Sequence, residues 1–127
     1  MSAAQTVLPA AIQNFQFAPM PHIHFGWGIR QQLLADLSTR YSHTVVLITG
    51  KTLSAPGQFG DILLTQLKTH ASQVRHFVVT GEPSPELVDQ IVRQCLPETQ
   101  VVIGLGGGSV LDAAKAVAGL IPSQTSV

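Results

Sequence analysis

The residues best suited to chemistry stand together late in the chain, where Gly104-Leu105-Gly106-Gly107-Gly108-Ser109 is followed by Asp112 and Lys115. Glycines without Cβ let a backbone approach a ligand closely. The unpaired N–H groups of a following helix, at the positive end of its dipole, suit a phosphate. The flanking residues provide that setting. Val101-Val102-Ile103 is an apolar, β-branched run that reads as a buried strand, and Val110, Leu111, Ala114, Val117, Ala118 and Ile121 recur at helical spacing. Strand, glycine-rich turn and helix in that order predict a phosphorylated anion as guest.

Spacing alone leaves two readings open. Ser109 takes the place of the third glycine of the dinucleotide fingerprint, and the acidic residue that fingerprint wants about 20 residues on is absent. No Gly-Lys-Ser/Thr closes the turn, so it is not a Walker loop. Ser109 with Asp112 also spells a capping box, Ser/Thr-x-x-Asp/Glu, which satisfies helix-start donors with no ligand at all. Asp112 and Lys115 fit an i, i+3 ion pair on a helix, worth about 0.2–0.5 kcal/mol.

Other elements must hold such a turn. Thr44 to Thr49 reads as a buried strand, residues 50–57 as a turn, and residues 58–70 as a helix with Phe59, Ile62, Leu63 and Leu67 on one side. A strand is predicted at residues 76–80. Ser84 is a good N-cap with Pro85 at the first helical position, which predicts a helix over 85–95; a strand over 101–104 follows. Upstream, residues 29–40 have a helical pattern with Ile29, Leu33, Leu34 and Leu37 inward, and residues 15–25 read as one or two edge strands. His22 and His24 share a face there, but no carboxylate or third His accompanies them, so they read as strand residues rather than metal ligands.

Helices alternating with strands over short connections predict an α/β fold, a parallel sheet with helices on both faces. Residues 1–14 read as a loose leader and 15–127 as one domain. Ligands of such sheets sit outside the carboxyl ends of the strands. That rule selects Gly50-Lys51-Thr52, Gly81-Glu82-Pro83 and Gly106 to Ser109.

Composition narrows the partners. Seven basic and seven acidic residues cancel, with no basic cluster, which argues against nucleic acid and anionic membrane as partners. Charged residues are 11% of the chain, against about 25% in typical soluble domains, so either an apolar patch is normally covered or the surface is simply quiet. The first basic residue is Arg30, and no run approaches the ~18 apolar residues of a membrane span, so the expected location is cytoplasmic. The lone Cys95 permits no internal disulfide and fits an apolar helical face.

Gly-Gly-Gly-Ser-x-x-Asp-x-x-Lys at 106–115, directly after an apolar strand, resembles the nucleotide-binding signature of the iron-containing (group III) alcohol dehydrogenase family. Phe25-Gly26-Trp27-Gly28, Val46-Leu47-Ile48-Thr49-Gly50-Lys51 and Glu82-Pro83-Ser84 match it in the family's order, so the resemblance runs through residues 15–121. It implies a Rossmann-like domain in which Gly106, Gly107, Gly108 and Ser109 hold the pyrophosphate of NAD or NADP. Asp112 then organises the helix start beside the cofactor, and Lys115 is a supporting charge. Gly50 stands where many members carry Asp, which removes a repulsion against a 2′-phosphate, and Lys51 beside it is able to pair with one; NADP(H) is therefore expected to be accepted. Glu82 replaces the Asn of many members beside Pro83. Its carboxylate either bonds the ribose or nicotinamide end or caps the turn through solvent.

The family's second, all-helical domain supplies Asp and His ligands to a divalent metal, commonly iron or zinc, which polarises the alcohol oxygen. The resemblance thus implies a chain truncated before that domain, with no catalytic residue and no metal ligand of its own, inactive alone. The parent enzyme would interconvert an alcohol with an aldehyde or ketone as a homo-oligomer, and the alcohol is unspecified. A free-standing α/β module that binds a nucleotide or phosphate without chemistry is the alternative.

Overall fold

The computed structural model of the chain describes residues 28–33, 35 and 44–126. A 3-10 turn at Ile29–Gln32 precedes β1 (Thr44–Gly50), α1 (Lys51–Ser54), α2 (Phe59–His70), β2 (Gln73–Val79), α3 (Pro85–Gln94), β3 (Val101–Leu105) and α4 (Gly108–Ser126). The strands form one parallel sheet in the order β2-β1-β3. Thr44 to Thr49 are all buried, because a central parallel strand is covered on both faces and both sets of its alternating side chains point into a core. Val45 and Leu47 pack with Leu63 and Leu67 of α2. Val46 and Ile48 pack with Val88 and Ile91 of α3 and with Val110 and Val117 of α4. The sheet therefore carries helices on both faces, as the alternation of elements predicts.

Several boundaries differ from the sequence reading. The connection after β1 is not only a turn: Lys51–Ser54 makes one helical turn, in which the Ser54 hydroxyl donates to the Lys51 carbonyl at 3.1 Å. β2 begins at Gln73 rather than at residue 76, because Gln73, Val74 and Arg75 pair with Thr44, Val45 and Val46 of β1, and that ladder extends the strand beyond its apolar end. The expected helix over 29–40 opens as a 3-10 turn, and Leu33 packs onto the α2 side of the core. The leader, the edge strands with His22 and His24, and Phe25 to Trp27 lie outside the described residues.

Cys95 is buried in the α3 cluster, as its helical spacing suggests, although it caps α3 instead of extending it. Burial pushes its thiol up, only partly countered by the Arg75 guanidinium, so it behaves as an apolar packing residue. Among the described residues no helix is long and apolar enough to cross a membrane.

The start of α3 follows its sequence signal closely. Pro85 occupies the first turn and the Ser84 hydroxyl accepts from the Leu87 N–H at 3.1 Å. Ser84→Ala is expected to lower unfolding stability by about 1 kcal/mol, with Ser84→Asp near the parent. Urea titration of the three proteins measures this, and an Ala variant as stable as the parent would show that water replaces the cap.

Candidate functional site

β1 lies between β2 and β3, so the chain leaves β1 for one neighbour and later returns to its other side. The carboxyl ends of β1 and β3 thus flank the point where strand order reverses, which is where open α/β sheets bind ligands. A crevice of about 320 Å³ opens there, lined by Gly50, Lys51, Thr52, Leu53, Leu105, Gly106 and Gly107. Two of the turns selected from the sequence meet in it, Gly50-Lys51 on one wall and Gly106-Gly107 on the other.

Three glycines set the spacing of these walls. A Cβ on Gly104 would lie 2.6 Å from the Ala114 Cβ, and one on Gly106 would lie 2.8 Å from Val110 Cγ2. A Cβ on Gly50 would stand 3.4 Å from the same Val110 methyl. Contacts this short admit only hydrogen at Gly104 and Gly106, so α4 is pressed against β3 with its first turn at the mouth of the crevice. Gly107 and Gly108 are the opposite case. Neither would bring a Cβ within 4 Å of any protein atom, and both are exposed.

The start of α4 is bare. Leu111 donates to the Gly107 carbonyl at 3.0 Å, which makes Gly107 the N-cap and leaves the N–H groups of Gly108, Ser109 and Val110 without an intrahelical partner. Ser109 falls inside the helix, so the capping box with Asp112 does not form: the glycine turn enters the helix before the serine is reached. Asp112 and Lys115 are exposed on α4, and no ion pair joins them among the described residues. The charged side chain that lines the crevice is Lys51.

The third selected turn lies apart. Pro83, Ser84, Pro85, Val88 and Asp89 line a second, more apolar crevice of about 320 Å³ together with Asp112, Ala116 and Leu120 of α4. This groove runs down the α3 side of the helix whose start borders the first crevice. Glu82 is exposed in its loop and lines neither. Among the described residues no three His, Cys, Asp or Glu side chains converge to hold a metal ion.

Sequence reasoning selected Thr52 with Gly50-Lys51 but did not pick out Leu53 and Leu105 as crevice walls, nor the bond between Thr49 and His76. The Thr49 hydroxyl and His76 Nε2 are 2.8 Å apart under the end of β1. A threonine closing the apolar run Val45 to Ile48 was the available signal. Desolvation, then the Lys68 ammonium, holds the His76 ring below the ordinary histidine value of 6.5.

Residues 20–126 match the family model of iron-containing alcohol dehydrogenase. Glycerol dehydrogenase 1 of Schizosaccharomyces pombe is 38% identical over 56 residues, which cover 44% of this chain and 12% of that protein. Long-chain-alcohol dehydrogenase 1 of Geobacillus thermodenitrificans is 29% identical over 119 residues, covering 92% of this chain and 29% of that protein. The crystal structure of the Schizosaccharomyces pombe glycerol dehydrogenase superposes with a TM-score of 0.61 at 25% identity, over 72% of this chain and 22% of that one. The chain spans less than a third of the length of each of these relatives.

Two outcomes are expected from this geometry. Gly104→Ala should destabilise the fold by about 1–3 kcal/mol through overpacking, and Gly107→Ala by less, since open space surrounds it. Equal unfolding midpoints for these two variants would mean that α4 is free to back away from the sheet. For His76, the unfolded chain takes up a proton just below 6.5 that the folded chain resists, so stability falls as pH falls through that window. Unfolding midpoints followed from about pH 8 to about pH 5 should drop more steeply in the parent than in His76→Gln, whose side chain carries no titrating proton.

Proposed function

The chain belongs to the iron-containing alcohol dehydrogenase family, and on that premise we propose that it is the cofactor-binding domain of a metal-dependent NAD(P) alcohol dehydrogenase. The parent reaction is the reversible oxidation of an alcohol to an aldehyde or ketone. The observation that carries this reading is the bare first turn of α4. Three backbone N–H groups there have no intrahelical partner, and the Cβ positions of Gly107 and Gly108 look into open space, at the strand-order reversal and at the positive end of a 19-residue helix. A side chain at Gly107 would fill the room a phosphate needs.

Each residue then has a definite task. Gly106 and Gly107 give the linked phosphates access to the backbone, and the N–H groups of Gly108, Ser109 and Val110 donate to them. Gly50 leaves the adenosine side of the crevice uncrowded, and Lys51 supplies a cation for a 2′-phosphate. Asp112 and Pro83 border the second groove, which extends the path of the cofactor along α4. The nicotinamide, when bound, supplies the hydride acceptor; this chain binds the cofactor and orients it. The described residues contain no ligand set for iron or zinc, so activation of the alcohol oxygen is not assigned to them.

Titrating NADPH and NADH into the chain and following nicotinamide fluorescence tests the proposal. NADPH should bind at least as tightly as NADH. An NADH affinity more than about tenfold tighter, some 1.4 kcal/mol, would overturn the role of Gly50 and Lys51. Gly107→Val should abolish binding of both while the circular dichroism of the fold is kept, and unchanged affinity in that variant would refute the phosphate site.

A further inference from the structure

The wall of the crevice formed by Gly50 to Leu53 leaves the sheet at Gly50, which is the last residue of β1 to pair with β2, and beyond that point it is set by what holds the end of β1 and the start of α2. Thr49 is the last fully buried residue of β1, with no exposed surface. Its methyl group lies 3.4 Å from where a Cβ of Gly60 would stand, and the Leu53 carbonyl oxygen lies 2.5 Å from that same point. Gly60 is therefore a seat with no side chain, against which both the end of β1 and the last part of α1 rest. Beside the backbone ladder that pairs Thr49 with Val78 and Gly50 with Val79, the hydroxyl of Thr49 gives the end of β1 a side-chain tie to β2, through His76 Nε2 at 2.8 Å. Removing either partner of this bond takes away the side-chain tie between the end of β1 and β2, and the segment that follows Thr49 is then held less firmly.

We infer that His76 is a positioning residue of the nucleotide crevice: through Thr49 it fixes the Gly50–Leu53 wall against the seat at Gly60. The inference rests on the cofactor reading above for its functional consequence. His76 lies on β2, lines neither crevice and touches no cofactor, so it is not a catalytic residue. Its Nε2 acts only on the wall, and a residue that presents a polar atom at the same place serves equally. Gln does so, because its amide nitrogen or oxygen reaches about as far from the backbone as Nε2 of an imidazole, and either atom can bond a hydroxyl.

The test uses the whole chain with two readouts, NADPH affinity and amide hydrogen exchange of residues 50–58 in the ligand-free protein. His76→Leu should weaken NADPH binding at least about tenfold and speed exchange in that segment, while His76→Gln stays within about threefold of the parent in affinity with parental exchange. Thr49→Val, and Thr49→Val combined with His76→Leu, should lose as much as His76→Leu alone, since all three remove the same bond. Should His76→Leu fail to fold, the near-isosteric Thr49→Val carries the comparison. Parental affinity and exchange in His76→Leu, equal impairment in the Gln and Leu variants, or additive losses in the double variant would each overturn the inference. A parent that does not bind NADPH would instead overturn the cofactor reading, and the exchange measurement alone would then decide the role of His76 in the wall.

Discussion

The rest of the structure depends on how closely α4 lies against the sheet. Where Gly104 faces Ala114 and Gly106 faces Val110, the helix and strand are separated by little more than hydrogen atoms. Larger residues would push the helix outward, and its first turn would no longer stand at the end of the sheet. The apolar residues beneath, Val110, Ala113, Ala114, Val117 and Ile121, are buried at helical intervals and hold the helix down along its length. Dense packing at one place thus produces open space at another, since the turn that presses at Gly106 leaves Gly107 and Gly108 facing outward.

Topology then decides what meets that open space. With β1 between its two neighbours, α2 covers one face and α3 and α4 the other, and the two sets of connecting turns part above the gap between β1 and β3. The crevice lies in that gap. Its second wall is short and follows directly from the central strand, with Thr49 and the Leu53 carbonyl both packed against Gly60.

Electrostatically the site relies on the backbone. The chain has equal numbers of acidic and basic residues, and its crevice is lined by a single charged side chain, Lys51, among the described residues. Under the proposed function, attraction for an anion would come chiefly from aligned peptide dipoles and the N–H groups at the start of α4 that lack intrahelical partners. The surface is otherwise sparing in charge, and apolar residues such as Leu111 and Leu120 stand exposed on α4, with Leu120 bordering the groove on the α3 side.

From residue types and spacing alone, the alternation of strands and helices, the parallel sheet, the Ser84 cap and the glycine turn before α4 could all be read, because each rests on local periodicity or local hydrogen-bonding preference. The strand-end rule also selected Gly50-Lys51 and Gly106-Gly107. What remained hidden was everything that needs two distant segments at once. Sequence spacing offered Ser109 as a cap, yet the close seating of α4 on Gly104 and Gly106 started the helix earlier and left Gly107 in that place. Pairing with β1 lengthened β2, and a hydroxyl on β1 found its partner on β2 at His76, 27 residues along the chain. The amino-acid order therefore determined which turns could bind an anion; only the folded sheet decided that two of them share one crevice while Glu82 is left outside it, because contacts between segments far apart in sequence are set by packing, not by spacing.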